Sequence, residues 1–179
     1  MILTKDQLKY LTRDITPEES QYVAQVSQIY AKSTEYGTCG SEERDEVKDL
    51  VILAVNKFKA YAIKFDEVAT TNGVDTYNSI GDLARQVKYY INDMVDCMLP
   101  TIRYIFNIDT EQQIYSNLTL PVGIDPYELI NEVKEMVFEL INYLKSRNEL
   151  FDDLQVLRLK FEDMSKTICD YCYRLRLAK

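Results

Sequence analysis

The stretch LQVLRLKFEDMSKTICDYCYRL, residues 154–175, decides the fold. Its apolar positions Leu154, Leu157, Phe161, Met164, Ile168, Tyr171 and Leu175 recur at steps of 3, 4, 3, 4, 3 and 4. That spacing puts them on one stripe of an α-helix for about three heptads, and no strand can bury it, because strand side chains alternate every second residue. Immediately upstream, Asp125-Pro126-Tyr127-Glu128 reads as an N-cap, a first-turn proline and an acid at the third position. Leu129, Val133, Val137, Leu140, Ile141 and Leu144 then follow at helical spacing, and residues 146–149 read as a tight break. Two amphipathic helices joined this closely predict an antiparallel hairpin over 125–177.

The same signals recur toward the N-terminus. Ser79 caps a helix whose buried face is Ile80, Leu83, Val87, Ile91, Met94 and Met98. Pro100 removes a backbone donor there, so 79–106 reads as one kinked central helix. Ser41 opens another, with an acidic first turn suited to the helix dipole and Val47, Leu50, Val51, Ala54, Phe58, Tyr61 and Phe65 facing a core. Residues 66–78 lose the period, and Asn72-Gly73 is a turn signal. Thr4 to Gln7 forms a capping box, and Thr16-Pro17-Glu18-Glu19 starts a further helix that Gly37 and Gly40 end. Residues 107–124 have no helical period, although Leu118 to Val122 reads as a short extended piece. Loops this long are uncommon in compact domains and are often functional or ordered by a partner. The expected architecture is all-α, a bundle of about five to six helices in a single domain over 1–179.

Composition narrows the function. With 46% hydrophobic and 28% charged residues the chain is globular, and five Gly and four Pro are too few for an all-β protein. A net charge of -8 disfavours phosphate, so no sequence-specific nucleic-acid contact is expected. There is no histidine. Ser-His-Asp and Cys-His nucleophiles and imidazole metal ligands are therefore excluded. Four scattered cysteines do not make a disulfide framework, and no apolar run reaches the roughly 18 residues of a membrane span. With no leader evident at the start, a cytoplasmic protein is expected.

The site candidates are few. Cys169 and Cys172 form a C-x-x-C late in a helix, where the dipole does not activate a thiol, so they read as core residues. Glu42, Glu43 and Glu46 match the E-E-x-x-E with which all-α nucleotide pyrophosphatases of the MazG type hold Mg²⁺. Such a site needs a second facing acidic pair, and Asp93 with Asp96 is the nearest imitation. Glu128, Glu132, Glu135 and Glu139 share one helix face, as a solvated stripe or a contact for a basic partner. Fourteen tyrosines and no tryptophan point to interfaces, with Tyr10, Tyr89, Tyr171 and Tyr173 as candidates. Tyr89 adjoins Tyr90, and Tyr171 and Tyr173 flank Cys172, so one of each pair should leave the core. Arg174, Arg176 and Lys179 make a basic end that the helix dipole favours. No catalytic residue, cofactor or resident metal is expected.

Leu3-Thr4 through Leu8-Lys9-Tyr10-Leu11 and Asp14, the acidic Glu18-Glu19, the helix to Tyr36-Gly37 and the helix carrying Val47 to Tyr61 together resemble the head–tail connector (adaptor) proteins of tailed bacteriophages. The resemblance covers residues 1–65 and departs in the long C-terminal hairpin. It implies a non-catalytic ring subunit joining capsid to tail, present in the host cytoplasm and then in the virion. The alternatives are the Mg²⁺-dependent pyrophosphatase and a small helical regulator or inhibitor of a host protein.

Overall fold

The computed structural model describes residues 41–116, 118–120, 123, 125–147 and 153–178, and of 41 and 42 the backbone alone. The expected helices within residues 1–40 and Tyr10 lie outside the described residues, as do 148 and 149 of the expected 146–149 break, whose first two residues, Ser146 and Arg147, are still helical. The described residues form helices α1 (Ser41–Asn72), α2 (Ile80–Ile105), α3 (Pro126–Arg147) and α4 (Leu154–Leu177), with no strand among them. The class is all-α, as the apolar periods require.

The starts of α2 and α3 have a local cause. Ser79 Oγ accepts the Asp82 N–H at 3.2 Å, and the Asp82 carboxylate returns to the Asn78 N–H at 2.9 Å. Asp125 Oδ1 accepts the N–H groups of Tyr127 and Glu128 ahead of Pro126. Asp153 sits at the N-cap of α4 without a side-chain cap bond, because Arg44 takes its carboxylate.

One helix end differs from expectation. α1 continues through 66–72, where the apolar period fades. Val68 and Ala69 are still buried, and the side chains of Thr70, Thr71 and Asn72 donate to the carbonyls of Asp66, Glu67 and Val68, which holds the last turn from its polar side. Gly73, at φ 73°, ends it with an N–H bond to the Ala69 carbonyl. α2 runs through Pro100 to Ile105, close to the 79–106 expected of it. Within α2, Val95 is fully buried where Met94 was expected, and in α4 Cys172 takes the place of Tyr171.

The helices pack as a ring. α1 lies on α2 and α3, α4 lies on α3 and α2, and their inner faces form one buried cluster. α1 and α2 run in opposite directions: Lys88 meets Asp66 at 2.7 Å, Lys59 meets Asp96 at 3.0 Å, and Arg44 reaches the Ile105 carbonyl. Gly81 tops this pair, where an added Cβ would lie 1.8 Å from the Gly73 carbonyl oxygen. In the other pair, Lys145 approaches Glu162, Cys172 Sγ faces the Ile130 carbonyl, and Tyr127 OH donates to the Ala178 carbonyl. α4 joins α2 through Tyr90 on Tyr171 and through Arg174 on Asn78 and Gln86. Across the middle, Phe58 stacks on Phe161 at 6.2 Å.

These contacts place the end of α2 at the opposite end of the bundle from the start of α3. The connecting segment therefore runs back along the bundle, past a helix about 39 Å long at 1.5 Å per residue. Ile108, Ile114 and Leu120 are buried along the way. α1 is accordingly covered on more than one face: residues 47–58 are buried without interruption, wider than the single stripe the sequence predicts.

Candidate functional site

The acidic start of α1 does not meet a second acidic pair. Glu43 is exposed, Glu46 is half-buried and already engaged, and the Glu42 side chain lies outside the described residues. Asp96 sits opposite Lys59, thirteen residues along α1 from Glu46. At 1.5 Å per residue that is about 20 Å, too far for two carboxylate pairs to share an ion. Among the described residues, no group of three or more Cys, Asp or Glu side chains is placed to hold a metal ion.

Asp96 instead fastens the connecting segment. Its Oδ1 accepts from Lys59 Nζ and from Tyr115 OH, each at 3.0 Å, while the Lys59 ammonium lies 5.1 Å from the Tyr115 ring centre. The Lys59 bond holds the Asp96 carboxyl below its usual range. Burial, then the bond to Asp96, pushes the Tyr115 phenol up to about 12. One turn earlier in α1, buried Asn56 donates to the Ile52 and Ile114 carbonyls and accepts the Ser116 N–H at 2.7 Å. Its amide thus satisfies backbone groups of a segment that has no ladder of its own. At the end of α2, Arg103 donates to the carbonyls of Asp109 and Gln112. None of this was visible in the sequence beyond a lone Asn in an apolar run.

Arg44 is a second tie. It forks onto Asp153, reaches the Ile105 carbonyl and lies over the Phe106 ring, joining the start of α1, the end of α2 and the start of α4. A third tie is Asp82, 5% exposed, which collects Asn78, Arg85 and Gln86. The Asn78 N–H does most to hold its carboxyl low. Arg174 docks on this cluster, so part of the basic end serves the interior of the fold.

The interface candidates separate. Tyr89 is 56% exposed and Tyr173 62%, whereas Tyr90 and Tyr171 are half-buried against each other between α2 and α4. Tyr171 is thus engaged inside the bundle. Of the glutamate face, only Glu128 is exposed: Tyr61 OH donates to Glu132 at 2.7 Å, and Glu135 and Glu139 are half-buried and engaged. Cys172 is buried, which raises its thiol above the ordinary value, and Cys97 and Cys169 are exposed and unbridged. The surface also carries Tyr77 and Tyr104, at 80% and 87% exposure. Tyr104 borders a shallow apolar hollow with Leu99, Pro100, Arg103 and Ile108. No helix of the described residues is long and apolar enough to cross a membrane.

No family model, curated protein or solved structure matches the chain.

Proposed function

We propose that the protein is a non-catalytic structural or assembly protein that acts through its helical surfaces, as a homo-oligomer or as part of a larger assembly. Its concrete form is a ring subunit of the head–tail connector of a tailed-bacteriophage virion, made in the host cytoplasm and carried into the particle. The whole chain acts as one domain of about five to six helices that ends in an antiparallel hairpin. The contacts of Lys145 with Glu162 and of Cys172 with Ile130 support the hairpin.

One observation carries the reading. Large apolar side chains stand outward while the polar clusters of the described residues are used internally. Ile63, Tyr77, Tyr89, Tyr104, Tyr173 and Leu177 are each more than half exposed. Aromatic side chains with a polar tip contribute contact area at low entropy cost, and they are enriched where proteins meet. Asp96, Asp82, Asp153 and Asn56, by contrast, each bind another part of the same chain. The resemblance in the sequence of residues 1–65 supplies the connector form of the reading.

Electron microscopy of the complexes or particles from which the chain is purified tests this. Closed rings, or a repeated subunit at a particle vertex, are expected. A strict monomer with no partner in its source overturns the reading.

A further inference from the structure

The outer face of α4 carries a second heptad stripe, two residues out of step with the buried one. Two residues on a helix are a rotation of about 200°, so this stripe points directly away from the core. It reads Leu159, Asp163, Lys166, Asp170, Tyr173 and Leu177. Leu159 is 47% exposed and Leu177 62%, and the Asp163, Lys166 and Asp170 side chains are between 62% and 79% exposed. Their ion pairs within the helix, Lys166 with Asp163 at 3.5 Å and Arg174 with Asp170 at 3.9 Å, are of the weak surface kind.

This order of residues complements itself when reversed. Set against an antiparallel copy with its centre at Ile168, Leu159 meets Leu177, Asp163 meets the Tyr173 hydroxyl, and Lys166 meets Asp170, each twice by symmetry. Moving the copies by one heptad would set Leu159 against Asp170. Apolar ends thus meet apolar ends, every charge meets an opposite charge or a hydroxyl donor, and no leucine faces a carboxylate.

We infer that α4 pairs antiparallel with α4 of a second copy of this chain through this stripe. The inference rests on the assembly reading and deepens it by naming the surface and the partner. The stripe is about 27 Å long and one helix wide, at the low end of interface sizes, so the dimer forms as a concentration-dependent contact within a larger assembly.

Sedimentation velocity over a range of concentrations tests it with Lys166→Asp and Asp170→Lys. Each variant alone sets like charges opposite each other twice, and its self-association should weaken by about tenfold or more. Mixed one to one, the two variants present only opposite charges across the interface, and dimer should return. That return also shows that both variants are folded. If the single variants associate as the parent does, or if the mixture stays monomeric, the inference fails. A parent chain that is monomeric alone yet is seen as a repeated subunit of a particle also overturns this interface, while leaving the assembly reading intact.

Discussion

Asp49 is the residue at which burial and charge conflict most. It lies on α1 with 2% exposure, and one carboxylate oxygen has no hydrogen-bond partner. Burial raises its pKa to about 8, against the pull of Lys48 and with a push from Asp45 and Glu46. The folded chain therefore holds this proton more tightly than the unfolded chain, whose ordinary value is 3.8. The stability this proton confers is complete below about pH 4 and is lost as pH rises through about 8. Asp49→Asn keeps the shape and removes the titration. Thermal melts at pH 5, 7 and 9 should show the parent losing ground to Asp49→Asn toward pH 9. A gain of about 1 kcal/mol moves the midpoint of a chain this size by about 2–4 °C. Parallel pH profiles for the two proteins would show that Asp49 does not titrate in this range. The acidity of the first turn of α1, one turn before Asp49, was plain from the sequence, where it reads as dipole compensation. That Asp49 faces inward is a consequence of residues 47–58 being buried on every side, which no single-helix stripe can indicate.

Among the elements, the connection between α2 and α3 departs most from its sequence appearance. The described residues of 107–124 belong to no helix or strand, yet part of the segment is packed as firmly as the helices. Ile108, Ile114 and Leu120 are at most 7% exposed. Asn56 is the position on which this rests. Removing its amide leaves the Ile114 carbonyl without its partner, and Asn56→Ala should cost about 2 kcal/mol in urea unfolding. Hydrogen exchange should quicken in residues 108–116 well before it does in α3 or α4. Equal quickening throughout the chain would show that Asn56 supports the bundle generally and does not hold this segment. Gly81 shows the same limit on sequence reading. In the sequence it is two residues after a cap, and only the approach of the Gly73 carbonyl shows why a side chain has no room there.

For the whole molecule, the two helix pairs are joined through their shared centre. Phe58 of α1 and Phe161 of α4 are fully buried and stack across the ring. Phe161→Ala should destabilise the chain by about 3–5 kcal/mol, as loss of a ring from a core that cannot close fully over the space. Because the cluster spans all four helices, α1 and α4 should lose structure in one transition when followed by residue-resolved hydrogen exchange. Separate transitions for the two pairs would contradict a single core.

What the sequence determined by itself was the class, the four described helices and most of their inner faces. Caps, first-turn prolines and apolar spacing act within a few residues, so they can be read without knowing the partner of any helix. The absence of histidine likewise removed whole classes of chemistry before any fold was known. The tertiary structure decided which helices are neighbours, where the connecting segment lies, and which polar groups are spent on internal ties. It turned Tyr171, Glu132, Glu135 and Glu139 from surface candidates into engaged residues, and left Tyr89, Tyr173 and the outer stripe of α4 facing outward. Those outcomes depend on contacts between residues far apart in the chain. Local periodicity says which side of a helix is buried, and it carries no information about what buries it.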